Sequence, residues 1–307
     1  MAKDKKISNA ILFVNLRKNA GKVADEIKTE LEKLNINVTV FSFEGRPQTC
    51  PQGKWDIAFS LGGDGTVLYT ARMLASSGTP ILPVHLGTLG FIAGVEEHEW
   101  SLVFKKWLDN TARLSSRCML DISVEREGNP VMRNTCLNDA VVCASGIAKL
   151  IRLKVKTEIS PGEFAGLGHY RSDGLIIATP TGSTAYSMAA GGPILDPEME
   201  ALIINPICPF TLSNRPIVLP SKQTLLVSVE KVQRSGVLLT VDGQNTFELE
   251  AGDDIIIRQS PYNAVLVTAG RSAYYSALRG KLSFGAVVSD GGIASTGGVT
   301  SFGGTCA

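Results

Sequence analysis

The sequence has few histidines, no excess of one charge and no long apolar run. It contains 3 His in 307 residues, and 30 Lys+Arg against 29 Asp+Glu leave a formal net charge of +1. A nearly neutral chain lacks the positive field that draws proteins to nucleic acid or to anionic membranes. No stretch approaches the roughly 18 apolar residues of a membrane-spanning helix. We therefore expect no nucleic-acid partner and no membrane partner.

Cysteine is sparse and irregularly spaced, at positions 50, 118, 136, 143, 208 and 306. These positions suggest neither a disulfide framework nor a CxxC pair of zinc-site spacing. The histidines at 85, 98 and 169 share no metal-ligand spacing. The apolar run 10–14 that follows the basic start is too short for a signal peptide. The sequence predicts a reduced compartment, the cytoplasm, and no metal held by the protein itself.

The chain length and the change of pattern along it indicate about two domains. Apolar strands near residues 10–14, 56–61 and 81–86 are separated by helical spacing, which predicts an α/β domain with a parallel sheet over residues 1–100. A closing segment near 271–285 is expected to complete this domain. Period-two runs then predict a mainly antiparallel β-sandwich domain over residues 101–270. The Gly/Ser-rich residues 286–307 are predicted to form a flexible tail.

A glycine-rich loop, Gly62-Gly-Asp-Gly-Thr66, lies where a predicted strand gives way to a helix. Backbone N–H groups and the helix dipole favour an anion there, and glycines let a phosphate come close. The carboxylate of Asp64 would repel that phosphate unless it acts on a proton or on a metal carried by the nucleotide. The pattern suggests phosphoryl transfer to a hydroxyl. The alternative is a tight turn with Asp64 as helix cap, and the spacing fits neither Walker A nor GxGxxG.

A second polar turn follows another predicted strand, in the run Asp173-Gly-Leu-Ile-Ile-Ala-Thr-Pro-Thr-Gly-Ser-Thr-Ala-Tyr186. The hydroxyls of Thr181, Ser183 and Thr184 suit a phosphate or a ribose, and Tyr186 suits stacking. The alternative is N-capping by Ser183 with Tyr186 packed in the core.

Together these two runs resemble the motifs of the NAD kinase family. The resemblance extends over roughly residues 11–282 and includes Leu86-Gly-Thr-Leu-Gly-Phe91, Leu137-Asn-Asp-Ala-Val-Val142 and Thr211-Leu-Ser-Asn-Arg-Pro216. It implies that the 2′-hydroxyl of the adenosine ribose of NAD attacks the γ-phosphate of ATP, giving NADP. It also implies that Mg²⁺ arrives with ATP, that the site lies between the two domains, and that the protein is a homodimer or homotetramer.

The resemblance further implies a set of site residues. Asp64 matches the catalytic aspartate, Phe91 an aromatic that packs on adenine, and Asn138 with Asp139 a pair that holds ribose hydroxyls and adenine. Lys149 and Arg171 match positions near the pyrophosphate or near the substrate of a neighbouring subunit. The remaining NAD or ATP contacts implied are Gly63, Gly65, Thr66, Asp173, Thr184, Ala185, Tyr186 and Gln244.

Purely structural alternatives exist for four of these residues, and there are alternatives for the function. Phe91 suits the core, Lys149 a solvated strand, Gln244 a β-turn and Asn138 a turn without a ligand. A lipid kinase shares the GGDGT loop and a β-sandwich, but commonly has a Glu shortly after the loop, where this chain has Val67-Leu-Tyr69. A dinucleotide-binding regulator without catalysis is the other alternative. Asp64 argues against it, because a loop that only binds phosphate gains nothing from a carboxylate.

Overall fold

The computed structural model describes residues 7–18, 20–44, 49, 51–87, 90–92, 94–146, 149–211 and 213–282. The predicted tail, 286–307, lies outside the described residues. So do Thr88 and Leu89 of the Leu86 to Phe91 motif and Leu212 of the Thr211 to Pro216 motif.

Strands and helices alternate over the first part of the described chain. Their order follows the apolar runs and helical spacing of the sequence. They are β1 (Asn9–Asn15), α1 (Gly21–Lys33), β2 (Asn37–Phe43), β3 (Ile57–Gly62), α2 (Asp64–Leu74), β4 (Ile81–His85), β5 (Val95–Glu96) and α3 (Trp100–Leu108).

Strands dominate the remainder of the described chain, as the period-two runs predict. In order they are β6 (Arg113–Arg126), β7 (Asn129–Cys136), β8 (Asp139–Ala144), β9 (Ile151–Ser160), β10 (Glu163–Ser172), β11 (Gly174–Ala178), α4 (Tyr186–Ala189), β12 (Ala201–Ile207), β13 (Ile217–Pro220), β14 (Leu225–Val229), β15 (Val237–Val241), β16 (Asn245–Leu249), β17 (Asp254–Thr268) and α5 (Arg271–Leu282).

The described strands form two sheets. In the first, β2, β1, β3 and β4 are parallel, and the end of β17 joins β4 through Leu266 and Ile81. The long β17 then continues into antiparallel pairing with β6 and β14, so this sheet runs from the parallel region into the β-rich region. The second sheet is antiparallel, in the order β13-β12-β11-β8-β15-β16.

Apolar side chains pack both faces of the parallel strands. Ile27 of α1 and Phe104 of α3 lie in the core on one face, while Val67 and Leu68 of α2 lie in the core on the other. A third core fills the space between the two sheets, where alternate residues of β6, β11 and β14 meet. This packing fixes α2, and with it the GGDGT loop, between the parallel strands and the antiparallel sheet. None of the helices within the described residues is long and apolar enough to cross a membrane.

Candidate functional site

The GGDGT loop joins the carboxyl end of β3 to the first turn of α2, which begins at Asp64. A Cβ on Gly62 would approach Thr66 Oγ1 to 2.2 Å, so this position accommodates only glycine without displacement of Thr66. Thr66 Oγ1 also accepts a hydrogen bond of 3.2 Å from Asn15 Nδ2, at the end of β1. The loop is therefore fixed at the edge where parallel strands end, a common position for ligand sites in α/β folds.

The carboxylate of Asp64 holds the chain that follows β4. Asp64 Oδ2 accepts the N–H of Phe91 at 2.9 Å, and Asp64 Oδ1 accepts the N–H of Ile92 at 3.1 Å. Gly90 lies so close that an added Cβ would meet Asp64 Oδ1 at 1.8 Å. The Phe91 ring in turn lies under the Lys281 ammonium of α5, 4.9 Å from the ring centroid. The two backbone hydrogen bonds fix the orientation of the Asp64 carboxylate.

A second carboxylate, that of the buried Asp242, organises the turn at residues 137–139. Its oxygens accept backbone N–H groups from Leu137 at 3.2 Å, Asn138 at 2.7 Å and Asp139 at 3.3 Å. Asp242 and Gly243 have φ of 52° and 64° and form the turn of the β15–β16 hairpin. Asp-Gly is a favoured pair for such a turn because both positions require positive φ.

Arg72 and Gln244 connect this turn to the GGDGT loop. Arg72 Nη1 contacts Asp242 Oδ2 at 2.6 Å, and Arg72 Nη2 donates to Gln244 Oε1. The Gln244 side-chain amide then donates from Nε2 to the carbonyl of Gly65 at 2.8 Å. An unbroken run of contacts therefore leads from the GGDGT loop to residues 137–139. We call this set the GGDGT site; it comprises Asp64, Gly65, Arg72, Asn138, Asp139, Asp242 and Gln244.

The second polar run packs against the same turn. The Thr179 N–H and hydroxyl donate to the carbonyls of Asn138 and Leu137 at 2.8 and 2.5 Å. A Cβ on Gly182 would meet the Asn138 carbonyl oxygen at 2.2 Å, so the two backbones touch. The Thr184 hydroxyl donates to the Thr181 carbonyl, and a single turn of 3₁₀ helix at 182–184 precedes α4.

Charge and burial distinguish the polar groups of the GGDGT site. Burial, and then the neighbouring Asp242 carboxylate, raise the pKa of Asp139 to about 7. Asn138 Oδ1 and Thr181 Oγ1 are buried and have no hydrogen-bond partner among the described residues. Tyr186, by contrast, is 48% exposed at the start of α4. Buried polar atoms are normally hydrogen-bonded, so the first two suit the hydroxyl or amino groups of a ligand.

Three expected site residues lie away from the GGDGT site: Asp173 directly precedes β11 of the second sheet, whereas Arg171 lies on β10 and Lys149 before β9, both strands of the first sheet. Asp173 contacts Ala144 through its carbonyl, whereas Asp139 pairs with Ala178. Five residue steps along β8 separate these ends by about 16 Å. Arg171 is exposed with its guanidinium 4.8 Å from the Phe210 ring centroid, and Lys149 is exposed just before β9. We call Lys149, Arg171, Asp173 and Phe210 the far edge.

Sequence reasoning missed two residues of the GGDGT site, Arg72 and Asp242. Arg72 lies eight residues after Asp64 on a helix and carries no motif, and Asp242 reads as an ordinary turn residue before Gly243. They pair across 170 positions. The one available signal is the turn itself, because an aspartate in a tight hairpin commonly bonds nearby backbone.

Both halves of the chain match known domain families. The ATP-NAD kinase N-terminal domain matches residues 7–111, and the ATP-NAD kinase C-terminal domain matches residues 137–269. The NAD kinase of Treponema denticola is 39% identical over 282 residues, which are 91% of this chain and 97% of that protein. The NAD kinase of Geobacter sulfurreducens is 41% identical over 230 residues, 75% of this chain and 79% of that protein.

Two solved structures have the same architecture. Yeast NADH kinase complexed with NADH aligns with a TM-score of 0.81 at 26% identity, covering 92% of this chain and 89% of that one. An NAD kinase from Archaeoglobus fulgidus in complex with ATP aligns with a TM-score of 0.68 at 25% identity, covering 90% and 99%. The expected fold class, an α/β nucleotide-binding domain plus a mainly antiparallel β-sandwich, is confirmed.

Proposed function

The chain belongs to the ATP-NAD kinase family, and we propose how its residues divide the work of that reaction. The reaction transfers the γ-phosphate of ATP to the 2′-hydroxyl of the adenosine ribose of NAD, giving NADP. The observation that carries the division is the run of contacts from the GGDGT loop through Arg72 to residues 137–139. These contacts hold the GGDGT loop and residues 137–139, which are proposed to bind the acceptor ribose, in one fixed arrangement.

Asp64 is the catalytic residue of this proposal. Its carboxylate accepts the proton of the 2′-hydroxyl as the ribose oxygen bonds to the γ-phosphorus and the bond to the β-phosphate breaks, releasing ADP. In a loose phosphoryl transfer the proton leaves late, so orienting the hydroxyl matters more than basicity. The hydrogen bonds from Phe91 and Ile92 support this role because they fix the direction of the carboxylate.

Gly63, Gly65 and Thr66 are proposed to contact phosphate at the first turn of α2. Glycine at 63 and 65 leaves the backbone open to a phosphate, since an added Cβ at Gly63 would meet no described atom within 4 Å. The first turn of a helix offers N–H groups and a positive dipole end. Gln244 is proposed to contact substrate next to this loop, because its side chain bonds the Gly65 carbonyl.

The residues around 137–139 are proposed to hold the adenosine part of NAD. Asn138 and Asp139 offer an amide and a carboxyl group to a ribose diol, which both donates and accepts hydrogen bonds. The unpartnered Asn138 Oδ1 supports this assignment. Four further residues are proposed to contact the base or the ribose: Phe91, whose N–H bonds Asp64, and Thr184, Ala185 and Tyr186, which follow Gly182, the residue that touches this turn.

We propose that Mg²⁺, or another divalent cation, arrives with ATP. Within the described residues no group of three or more His, Cys, Asp or Glu side chains could hold a metal ion. Mg²⁺ is commonly bound through one or two carboxylates and the phosphates of a substrate. The site fits that mode, because Asp64 is a carboxylate at the phosphate loop. Bound there, the cation would neutralise charge on the transferring phosphate.

The far edge is proposed to serve a neighbouring protomer in a homodimer or homotetramer. Asp173, which bonds Ala144 at one end of β8, is about 16 Å from Asp139 at the other end. Charged and half-buried groups at an exposed edge with an aromatic neighbour, Phe210, suit an interface that delivers charge to another chain's substrate.

The cytoplasm is the proposed compartment, and the free thiols of Cys118, Cys136, Cys143 and Cys208 support reducing surroundings.

Product formation by the purified protein tests the catalytic assignment. Given NAD, ATP and Mg²⁺, the wild type is expected to form NADP, read with an NADP-specific coupled dehydrogenase. Asp64→Asn is expected to bind NAD normally while losing activity by about 10²–10⁴-fold, the usual worth of a positioned base. A fully active Asp64→Asn would remove Asp64 from the mechanism. A wild type without NADP formation, but with NAD bound, would contradict ATP as donor.

A further inference from the structure

Arg72 makes a forked contact with two side chains of the β15–β16 hairpin. One guanidinium nitrogen, Nη1, lies 2.6 Å from Asp242 Oδ2, and the other, Nη2, donates to Gln244 Oε1. The Arg72 side chain is 5% exposed and that of Asp242 is fully buried. A planar guanidinium donates in two directions at fixed angles, so it fixes both partners relative to each other.

The first branch of the fork determines where the 137–139 turn lies. Asp242 collects three backbone N–H groups from that turn, at 2.7 to 3.3 Å. A buried carboxylate needs an opposite charge, and Arg72 supplies it in an ion pair with Asp242. The position of Asn138 and Asp139 therefore depends on Arg72 through Asp242.

The second branch determines how Gln244 faces the phosphate loop. A guanidinium only donates hydrogen bonds, so the Gln244 oxygen must face Arg72. The Gln244 nitrogen consequently faces the Gly65 carbonyl, to which it donates at 2.8 Å. Gly65 immediately follows Asp64, and the orientation of the Gln244 amide is thereby coupled to the catalytic loop.

We propose that Arg72 is a positioning residue for phosphoryl transfer. It acts through Asp242 and Gln244 to hold the ribose-binding turn, residues 137–139, at a fixed distance from the GGDGT loop. Arg72 itself touches no substrate in this account. The inference rests on the proposed roles of Asp64 and of residues 137–139. A displacement of about 1 Å between reacting groups can cost up to a hundredfold in rate, so loss of the fork is expected to lower kcat.

The first test is Arg72→Lys, which keeps one positive charge for Asp242 but removes the fork. We expect the melting temperature and the Kd for NAD to stay near the wild-type values while kcat falls about tenfold. Arg258→Lys is the matched control, since Arg258 is an exposed arginine on the wall of the same groove as Arg72. The control is expected to keep the wild-type kcat. A wild-type kcat in Arg72→Lys would overturn the proposal.

The second test uses Gln244→Met, a change at an exposed side chain that leaves folding intact even where Arg72 variants are unstable. It removes the hydrogen bond to Gly65 and is expected to lower kcat by a larger factor than it raises the Kd for NAD. In the double variant Arg72→Lys/Gln244→Met, kcat should be no lower than in the worse single variant, because both act through one contact. A double variant whose loss of kcat equals the product of the two single losses would contradict the proposal. So would a wild-type kcat in Gln244→Met.

Asp64→Asn, prepared in parallel, distinguishes this inference from the proposed function. An inactive Asp64→Asn together with a normal Arg72→Lys would reject the positioning role alone. A fully active Asp64→Asn would reject the assignment on which the inference rests. A loss of kcat in Arg72→Lys that follows only a loss of folded protein, measured by thermal unfolding, would show a structural role instead.

Discussion

Two regions of the molecule, the GGDGT site and the far edge, hold polar side chains under opposite conditions. At the GGDGT site, Asp242 is fully buried and bonds three backbone N–H groups and Arg72. At the far edge, Arg171 is exposed and contacts Phe210, which is itself 66% exposed. The first arrangement is held by the chain's own contacts. The second presents charge outward.

This difference indicates which of the two regions is prepared for chemistry. Groups that must stabilise a transition state act best when they are oriented before the substrate arrives, because no energy is then spent in reorganising them. The buried, mutually bonded groups meet that condition. Exposed groups such as Arg171 and Lys149 gain a fixed position only when something binds to them, as at an interface between protomers.

The largest expected effect follows from adding one methyl group next to the 137–139 turn, with a glycine of β10 as the control. Gly182→Ala places a Cβ 2.2 Å from the Asn138 carbonyl, whereas Gly166→Ala on β10 meets no described atom within 4 Å. We expect Gly182→Ala to lower the free energy of unfolding by about 3 kcal/mol and to weaken NAD binding at least tenfold. Gly166→Ala should stay within about 0.5 kcal/mol of the wild type. Denaturant unfolding and NAD titration measure both, and equal effects would erase the contrast.

A smaller effect is expected from the pH dependence of stability at Asp139. Its folded pKa, about 7, lies above the unfolded value of 3.8 because of burial and of Asp242. The folded state therefore binds the proton more tightly, so this contribution is full below about pH 4 and is lost as the pH rises through 7.

Asp139→Asn removes that dependence. From pH 5 to pH 8 the free energy of unfolding of the variant should rise by about 2 kcal/mol relative to that of the wild type. A pKa shift of this size can contribute at most about 4 kcal/mol. Denaturant unfolding of both proteins at the two pH values measures the change. A relative stability that stays constant or falls with pH would contradict the buried, raised-pKa carboxyl group.

The smallest effect on the isolated chain is expected at the far edge. Arg171→Ala should change the free energy of unfolding by less than about 0.5 kcal/mol, because Arg171 is exposed. It should nevertheless raise the KM for NAD if the edge serves a neighbour. Mixed oligomers of Arg171→Ala and Asp64→Asn should then regain activity above that of either variant, since one protomer supplies each intact group. Mixtures no more active than the average of the two would argue against shared sites.

Sequence patterns predicted the helices and strands better than they predicted which residues meet in space. The strand–glycine–helix order led to Asp64 because a local pattern carries that signal. The run from Asp173 to Tyr186 reads as one cluster, yet β11 lies within it and separates Asp173 from the turn at Thr179 by about 20 Å. Arg72 and Asp242 escaped prediction because their contact joins a helix to a hairpin 170 positions away. Such contacts depend on the packing of the two sheets, which no local spacing encodes.

The residue limits of the two domains, and the roles of individual site residues, stay predictions. The described first sheet passes through β17 from the parallel strands into the antiparallel region. A boundary near residue 100 and a return near residue 270 therefore divide one continuous sheet. Limited proteolysis of the folded chain would show whether either point is accessible.

Single-turnover phosphoryl transfer, measured by rapid quench with NAD and ATP·Mg²⁺ bound, tests most directly whether Asp64 acts in the chemical step. Asp64→Asn is expected to bind NAD within about threefold of the wild type while its transfer rate falls at least about a hundredfold. A transfer rate equal to that of the wild type would contradict the account.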